Sequence, residues 1–230
     1  MNKNLLKQKE IVIKGMDLCR YYKRGSETVK ALDNVNIDIY SAESVCILGP
    51  SGSGKTTLIN ILSALDAPTA GQLFINNKPV HGLKESELVD IRRGTIGYVF
   101  QQFHLIPTLT VKENIMLPLL FLNRKPDSDQ IDKVLEGIGL LDRANHFPSE
   151  LSGGQMQRVA IGRALITHPR VLIADEPTGN LDRQTGLAIM DLFLATVKKE
   201  SITLILTTHN LEFSSFCDRV IRLRDGKIAE

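Results

Sequence analysis

The chain has 230 residues, 43% of them hydrophobic, with a formal net charge of +2. That is enough apolar material for one large α/β unit, and so small a net charge argues against a protein held on nucleic acid or a bilayer by electrostatics alone. Three widely spaced cysteines, Cys19, Cys46 and Cys217, without a CxxC pair, argue against a disulfide framework or a zinc site and fit a reducing compartment.

Met1 to Glu10 is polar and lysine-rich, and no apolar run follows it, so no signal peptide is expected. Ile11-Val12-Ile13, then Val29, Leu32, Val35, Ile37 and Ile39, and then Gln72 to Ile75 predict short antiparallel strands. Asn76-Asn77-Lys78-Pro79 reads as the turn after them.

Ser44 to Leu48 is a short apolar strand, in which Cys46 is a small core residue. Directly after it comes Gly49-Pro50-Ser51-Gly52-Ser53-Gly54-Lys55-Thr56-Thr57, and then a helical run from Thr57 to Leu65. A glycine, four residues and Gly-Lys-Thr between a strand and a helix form a phosphate loop. The glycines let consecutive N–H groups turn inward around a polyphosphate, and the helix aims its positive end at the same charge. Lys55 supplies a mobile cation for the β- and γ-phosphates, and the Thr56 hydroxyl is suited to Mg²⁺.

Further helices are predicted over Glu85 to Arg92 and Arg183 to Lys199, and buried parallel strands over Ile96 to Phe100, Val171 to Ala174, Ile202 to Thr207 and Val220 to Leu223. Residues 110–168 differ in character: Val111 to Leu122, Ser128 to Ile138 and Gly153 to Thr167 read as successive helices without a strand. They predict a helical subdomain inserted into a nucleotide-binding core formed by 1–109 and 169–230. The most membrane-like stretch, Met116 to Leu122, is far too short to span a bilayer and contains Pro118. A soluble protein is expected, with any membrane association made through a partner.

Val171 to Ala174 ends in Asp175-Glu176. A carboxylate at the C-terminal end of a strand beside a phosphate loop holds Mg²⁺ through its water shell, a role assigned to Asp175. Glu176, nearer the γ-phosphate, would polarise the attacking water. Leu151-Ser152-Gly153-Gly154-Gln155 places a capping serine and two glycines at a helix start, which also suits an anion.

With these segments in order, the chain resembles the ATP-binding subunit of an ABC transporter along essentially its whole length. Leu151 to Gln155 matches the family signature. The resemblance implies an α/β fold: a P-loop NTPase core with a mainly parallel sheet, an antiparallel β subdomain and the inserted helical subdomain. It further implies ATP and Mg²⁺ as cofactors. Lys55 and Thr56 then match the Walker A positions, Asp175 the Walker B aspartate and Glu176 the catalytic glutamate. Gln101 matches the glutamine that reaches Mg²⁺ and the water, Asp182 the D-loop aspartate, and His209 the switch histidine at the γ-phosphate. Tyr22 matches the aromatic that stacks on adenine, with neighbouring Tyr21 as the alternative. Met156 and Gly162 depart from common usage, and Gly162 is expected to weaken its helix slightly. His81, His104, His146 and His168 are expected on the surface or in loops.

The resemblance also implies a homodimer in which the phosphate loop of one subunit and Ser152, Gly153, Gly154 and Gln155 of the other close on the same ATP. Gln101 to Pro107, Asp175 to Asp182 and Ile91-Arg92-Arg93 are similar to the MacB/LolD-type branch. That implies an integral membrane permease as partner, an adaptor outside the membrane in some cases, and a place on the cytoplasmic face of the inner membrane. Work on lipoprotein release, export, or peptide and antimicrobial efflux follows from the same likeness. Leu105, Ile106 and Leu109 are candidates for the permease contact, unless they fold into the helical subdomain. The alternative is a non-transport ABC ATPase acting on ribosomes or DNA, though the chain lacks the paired cassettes, coiled coils and basic extensions of that class. Neither a guanine-reading Asn-Lys-x-Asp nor an unfilled catalytic position supports a GTPase or a non-hydrolysing cassette.

Overall fold

The computed structural model describes residues 10–229; the lysine-rich segment 1–9, read as carrying no export signal, lies outside them. The chain divides into two compact units, Met1–Arg92 with Thr203–Glu230, and Arg93–Ile202.

In the first unit the strands in chain order are β1 (Ile11–Arg24), β2 (Glu27–Tyr40), β3 (Ser44–Leu48), β4 (Ala70–Ile75) and β5 (Lys78–Pro79), followed after the second unit by β8 (Thr203–Thr208), β9 (Arg219–Arg224) and β10 (Lys227–Ala229). β2, β1, β4 and β5 form one antiparallel sheet in that order. Val35, Ile37 and Ile39 alternate into its buried face, as their spacing predicts. The β1–β2 hairpin is far longer than Ile11-Val12-Ile13 alone suggests. Register shifts around Gly15, Leu18 and Arg20 interrupt its alternation, and Asp17 and Asn34 take positive φ beside them, which hides the strand from a period-two reading.

The phosphate-loop strand β3 lies between β8 and β9, parallel to both, and β10 pairs antiparallel with β9. Val45, Cys46 and Ile47 are fully buried, as a strand flanked on both edges requires. Asp218, just before β9, accepts from the Ser44 amide and hydroxyl, both at 3.0 Å. Arg219 pairs at 2.8 Å with the buried Glu43, fixing where the two strands start. Helix α1 (Lys55–Leu62) follows β3, and α2 (Glu85–Thr95) opens with Glu85 and Glu87, the first of which pairs with Arg92. α7 (Leu211–Ser214) joins β8 to β9.

In the second unit β6 (Ile96–Val99) runs parallel to β7 (Val171–Asp175). Helices α3 (Val111–Phe121), α4 (Ser128–Gly137) and α5 (Gly153–Leu165) lie between them in sequence, and α6 (Arg183–Lys199) follows β7. Thr110 and Glu113 form a capping box on α3. Ile115 and Leu119 of α3, Ile131 and Leu135 of α4 and Val159 of α5 share a buried cluster. Gly162 has a packing reason beyond the small helical penalty expected of it. A Cβ there would meet Ile138 at 3.0 Å, Val134 at 3.2 Å and Ile115 at 3.3 Å, so the glycine lets α5 approach α3 and α4 closely. Among the described residues no helix is long and apolar enough to cross a membrane.

Candidate nucleotide site

The phosphate loop is shaped by close backbone approach in the first unit. Gly54, at the start of α1, has φ +104, and a Cβ on it would lie 2.4 Å from the Ala31 carbonyl. A Cβ on Gly49 would lie 2.3 Å from the Leu223 carbonyl, and the Gly226 amide donates to the Ser53 carbonyl at 3.0 Å. Gly52 has φ +79 with open space around it. Two of the glycines are therefore demanded by crowding and one by conformation.

Lys55 is 6% exposed, and its Nζ donates to the Gly49 and Pro50 carbonyls at 2.9 and 3.1 Å. The cation thus bridges the loop it belongs to. α1 has no side-chain cap and no acid in its first turn, so its positive end is left for an external anion. The Ser53 hydroxyl is buried without a protein partner, while Pro50, Ser51, Gly52 and Thr56 are exposed and Thr57 half-buried. This cradle fits a polyphosphate.

β3 and β8 are registered Leu48 to Thr208, so Gly49 and the exposed His209 leave neighbouring strands at the same end. Beyond His209, Asn210 caps α7 by accepting from the Glu212 amide at 2.9 Å and donates its own amide to the Thr208 hydroxyl at 3.0 Å. On the antiparallel sheet, Tyr21 and Tyr22 point opposite ways. The Tyr21 hydroxyl reaches Asp33 at 3.2 Å; its contact with Cys19, its burial and Asp33 push its pKa up to about 12. Tyr22 is 41% exposed, with its hydroxyl 3.2 Å from Asp66.

In the second unit β6 and β7 are registered Val99 to Ala174, so Phe100-Gln101 and Asp175-Glu176 leave that pair at one end. The turn from Glu176 folds back onto Gln101. Asn180 donates to the Gln101 carbonyl at 3.0 Å, Gly179 donates to the Glu176 carbonyl at 2.9 Å, and a Cβ on Gly179 would meet Gln101 Nε2 at 2.9 Å. Glu176 holds φ +43, a left-handed conformation that costs a non-glycine residue energy. Burial, and then the Asp175 charge, raise the Tyr98 pKa.

Ser152 caps α5 in a reciprocal box: Gln155 donates its amide to the Ser152 hydroxyl at 3.3 Å, and the Ser152 amide donates to Gln155 Oε1 at 2.9 Å. The amides of Gly153 and Gly154 then have no acceptor within the helix. Asp182 caps α6 by accepting from Thr185 at 3.0 Å, and the Thr185 hydroxyl and amide hold its pKa below the usual carboxylate range. Sequence reasoning missed two anchors of this unit. Arg163 donates to the Phe103 and His104 carbonyls after Gln101. Asn114, fully buried, binds the Ile106 amide and the Ile106 and Leu109 carbonyls. Both pair across long or irregular stretches that carry no periodic pattern.

Within the first unit the exposed Thr56 offers a hydroxyl oxygen, and within the second Asp175 ends β7 with a carboxylate. Among the described residues no group of three or more His, Cys, Asp or Glu could hold a metal. A hydroxyl and a carboxylate are hard oxygen donors of the kind that suits Mg²⁺.

Residues 32–179 match a family model described as ABC transporter. The chain is 45% identical over 223 residues, 94% of its length and 95% of the relative's, to the uncharacterized ABC transporter ATP-binding protein MJ0796 of Methanocaldococcus jannaschii. It is 40% identical over 216 residues, 93% of each chain, to the lipoprotein-releasing system ATP-binding protein LolD 2 of Rhodopseudomonas palustris. It is also 39% identical over 221 residues to the macrolide export ATP-binding/permease protein MacB of Vibrio parahaemolyticus, covering 95% of this chain but 34% of that one. In structure it is similar to the dimeric post-hydrolysis state of the MJ0796 cassette bound to ADP and Pi, with a TM-score of 0.87, 43% identity, and coverage of 95% and 97% of the two chains. These likenesses show the expected α/β P-loop NTPase fold class.

Proposed function

Since this chain belongs to the ABC transporter family of ATP-binding proteins, we propose that it hydrolyses ATP as a homodimer and so drives an integral membrane permease. The observation that carries this is the phosphate loop, in which Gly49 and Gly54 are fixed by crowding, Gly52 by its positive φ, and Lys55 is buried against its own backbone. In this reading Lys55, Gly49 to Thr57 and the Tyr22 ring bind ATP. Thr56, Asp175 and Gln101 hold Mg²⁺, which supplies charge neutralisation at the β- and γ-phosphates. Glu176 takes the proton of the attacking water, and His209 contacts the γ-phosphate. Ser152, Gly153, Gly154, Gln155 and Asp182 serve the ATP of the partner copy.

Two cationic, amide-lined surfaces have no reason to meet until polyphosphate bridges them, and hydrolysis removes the bridge. The likeness to LolD 2 and MacB favours lipoprotein release or export, at the cytoplasmic face of the inner membrane, with an adaptor outside the membrane as a further partner. Glu176→Gln tests the core of this reading. It should slow hydrolysis roughly 10²–10⁴-fold while light scattering shows dimers in ATP and Mg²⁺. Unchanged turnover would remove Glu176 from its role, and a variant that stays monomeric with ATP, alone and beside its permease, would end the dimer model.

A further inference from the structure

We propose that Arg20 and Asp66 are positioning residues for the nucleobase: they set the ring of Tyr22 and leave one of its faces for a purine. This rests on the reading of Tyr22 as the base platform.

The ring is exposed yet held at two places. Its hydroxyl donates to Asp66 Oδ2 at 3.2 Å, and the Arg20 guanidinium lies over one face, 4.8 Å from the centroid. Arg20 Nη2 reaches the other oxygen of the same carboxylate, Asp66 Oδ1, at 2.9 Å. One carboxylate thus ties the far end of the ring to the cation that covers it. The two side chains of the ion pair are only 25% and 29% exposed, so the pair is less screened than one at the free surface.

Asp66 is itself fixed. Its amide donates to the Asn60 carbonyl at 3.0 Å, and its Oδ1 accepts from the Ala67 amide at 2.8 Å. The Tyr22 hydroxyl and then the Asp66 charge raise the Arg20 pKa against the opposing effect of burial. An aromatic with its tip tethered and one face capped by a cation can take a planar π-system only on the other face, at little cost in ring freedom.

Calorimetric titration with ATP and with inorganic tripolyphosphate, which has no base, separates the outcomes. Arg20→Ala and Asp66→Ala should each weaken ATP binding roughly two- to fivefold, the size of an exposed cation–π contact, and leave tripolyphosphate binding unchanged. Neither should weaken ATP binding further in a Tyr22→Ala background, and Arg20→Lys should restore part of the loss. If Tyr22→Ala weakens ATP binding but Arg20→Ala and Asp66→Ala do not, the clamp is refuted and the reading of Tyr22 stands. If Tyr22→Ala binds ATP like the wild type, both fall together. Equal losses for ATP and tripolyphosphate would mark a structural role and also overturn the proposal.

Discussion

Gly154 and Thr185 approach so closely that a methyl on Gly154 would sit 2.5 Å from Thr185 Cγ2. The contact joins the start of α5, where the signature segment lies, to the start of α6, which Asp182 caps. Gly154→Ala must therefore push the two helix starts apart, because a β-branched threonine has little rotamer freedom to yield. ATPase turnover should fall at least about tenfold if this segment serves ATP. Thr185→Ser deletes the offending Cγ2 but keeps the hydroxyl beside Asp182. The double variant Gly154→Ala, Thr185→Ser should recover most of the activity, and a double variant as slow as the single one would show that the contact is not the cause.

That contact was invisible in the sequence, and its invisibility is general. The phosphate loop and the strand-helix alternation were legible because they are local: a glycine pattern between an apolar run and a helical run, or buried strands of four or five residues. Helix and strand ends moved by only a few residues, as with α1, which begins at Lys55 and not Thr57. The β1 strand was legible only at its first residues, because its bulges break the period. Arg163, Asn114, Thr185 and Asp66 act over distances in sequence, or on irregular backbone, where no periodicity reports them. The positive φ of Glu176 likewise has no sequence signature, since a glutamate does not advertise a left-handed conformation.

Gly54 and Gly52 differ in what a methyl would meet, which predicts two different losses. Gly52→Ala faces open space at φ +79 and should cost about 1–2 kcal/mol in unfolding free energy, the left-handed penalty alone. Gly54→Ala adds a clash with a backbone carbonyl at 2.4 Å and should cost about 3 kcal/mol or more. Urea denaturation of the nucleotide-free chain checks both, independently of ATP. Equal losses would mean that the Ala31 contact does not constrain the loop.

The Asp182 cap should make stability depend on pH in one direction. Its pKa is lowered, first by the Thr185 hydroxyl and then by the Thr185 amide. A carboxylate depressed in the folded state contributes its full stabilisation above its unfolded pKa, about 3.9, and loses it as pH falls through the lower folded value. Asp182→Asn should therefore be less stable than the wild type at neutral pH, and the gap should close progressively below about pH 4. Melting temperatures of the two chains from pH 7 to pH 2.5 measure it. A gap that stays constant over that range would place the cap's value in its shape and not in its charge.

The proposed permease contact fits better beside the expected residues than on all of them. Leu105 packs against the buried cluster of α3, α4 and α5, and Asn114 pins the Ile106 backbone. Ile106, 37% exposed, remains available on the surface. Next to this segment Tyr98, Phe100, His104, Leu117, Phe121 and Arg163 line a cavity of about 390 Å³. Phe121 is 58% exposed at its rim, a large apolar side chain that an apolar partner segment would cover. Phe121→Lys should keep the melting temperature and ATP affinity of the wild type while losing co-purification with the permease and permease-stimulated turnover. Leu105→Asp should instead lower the melting temperature, because it puts a charge against the cluster. A Phe121→Lys chain that still pulls down its permease would move the contact elsewhere on the protein.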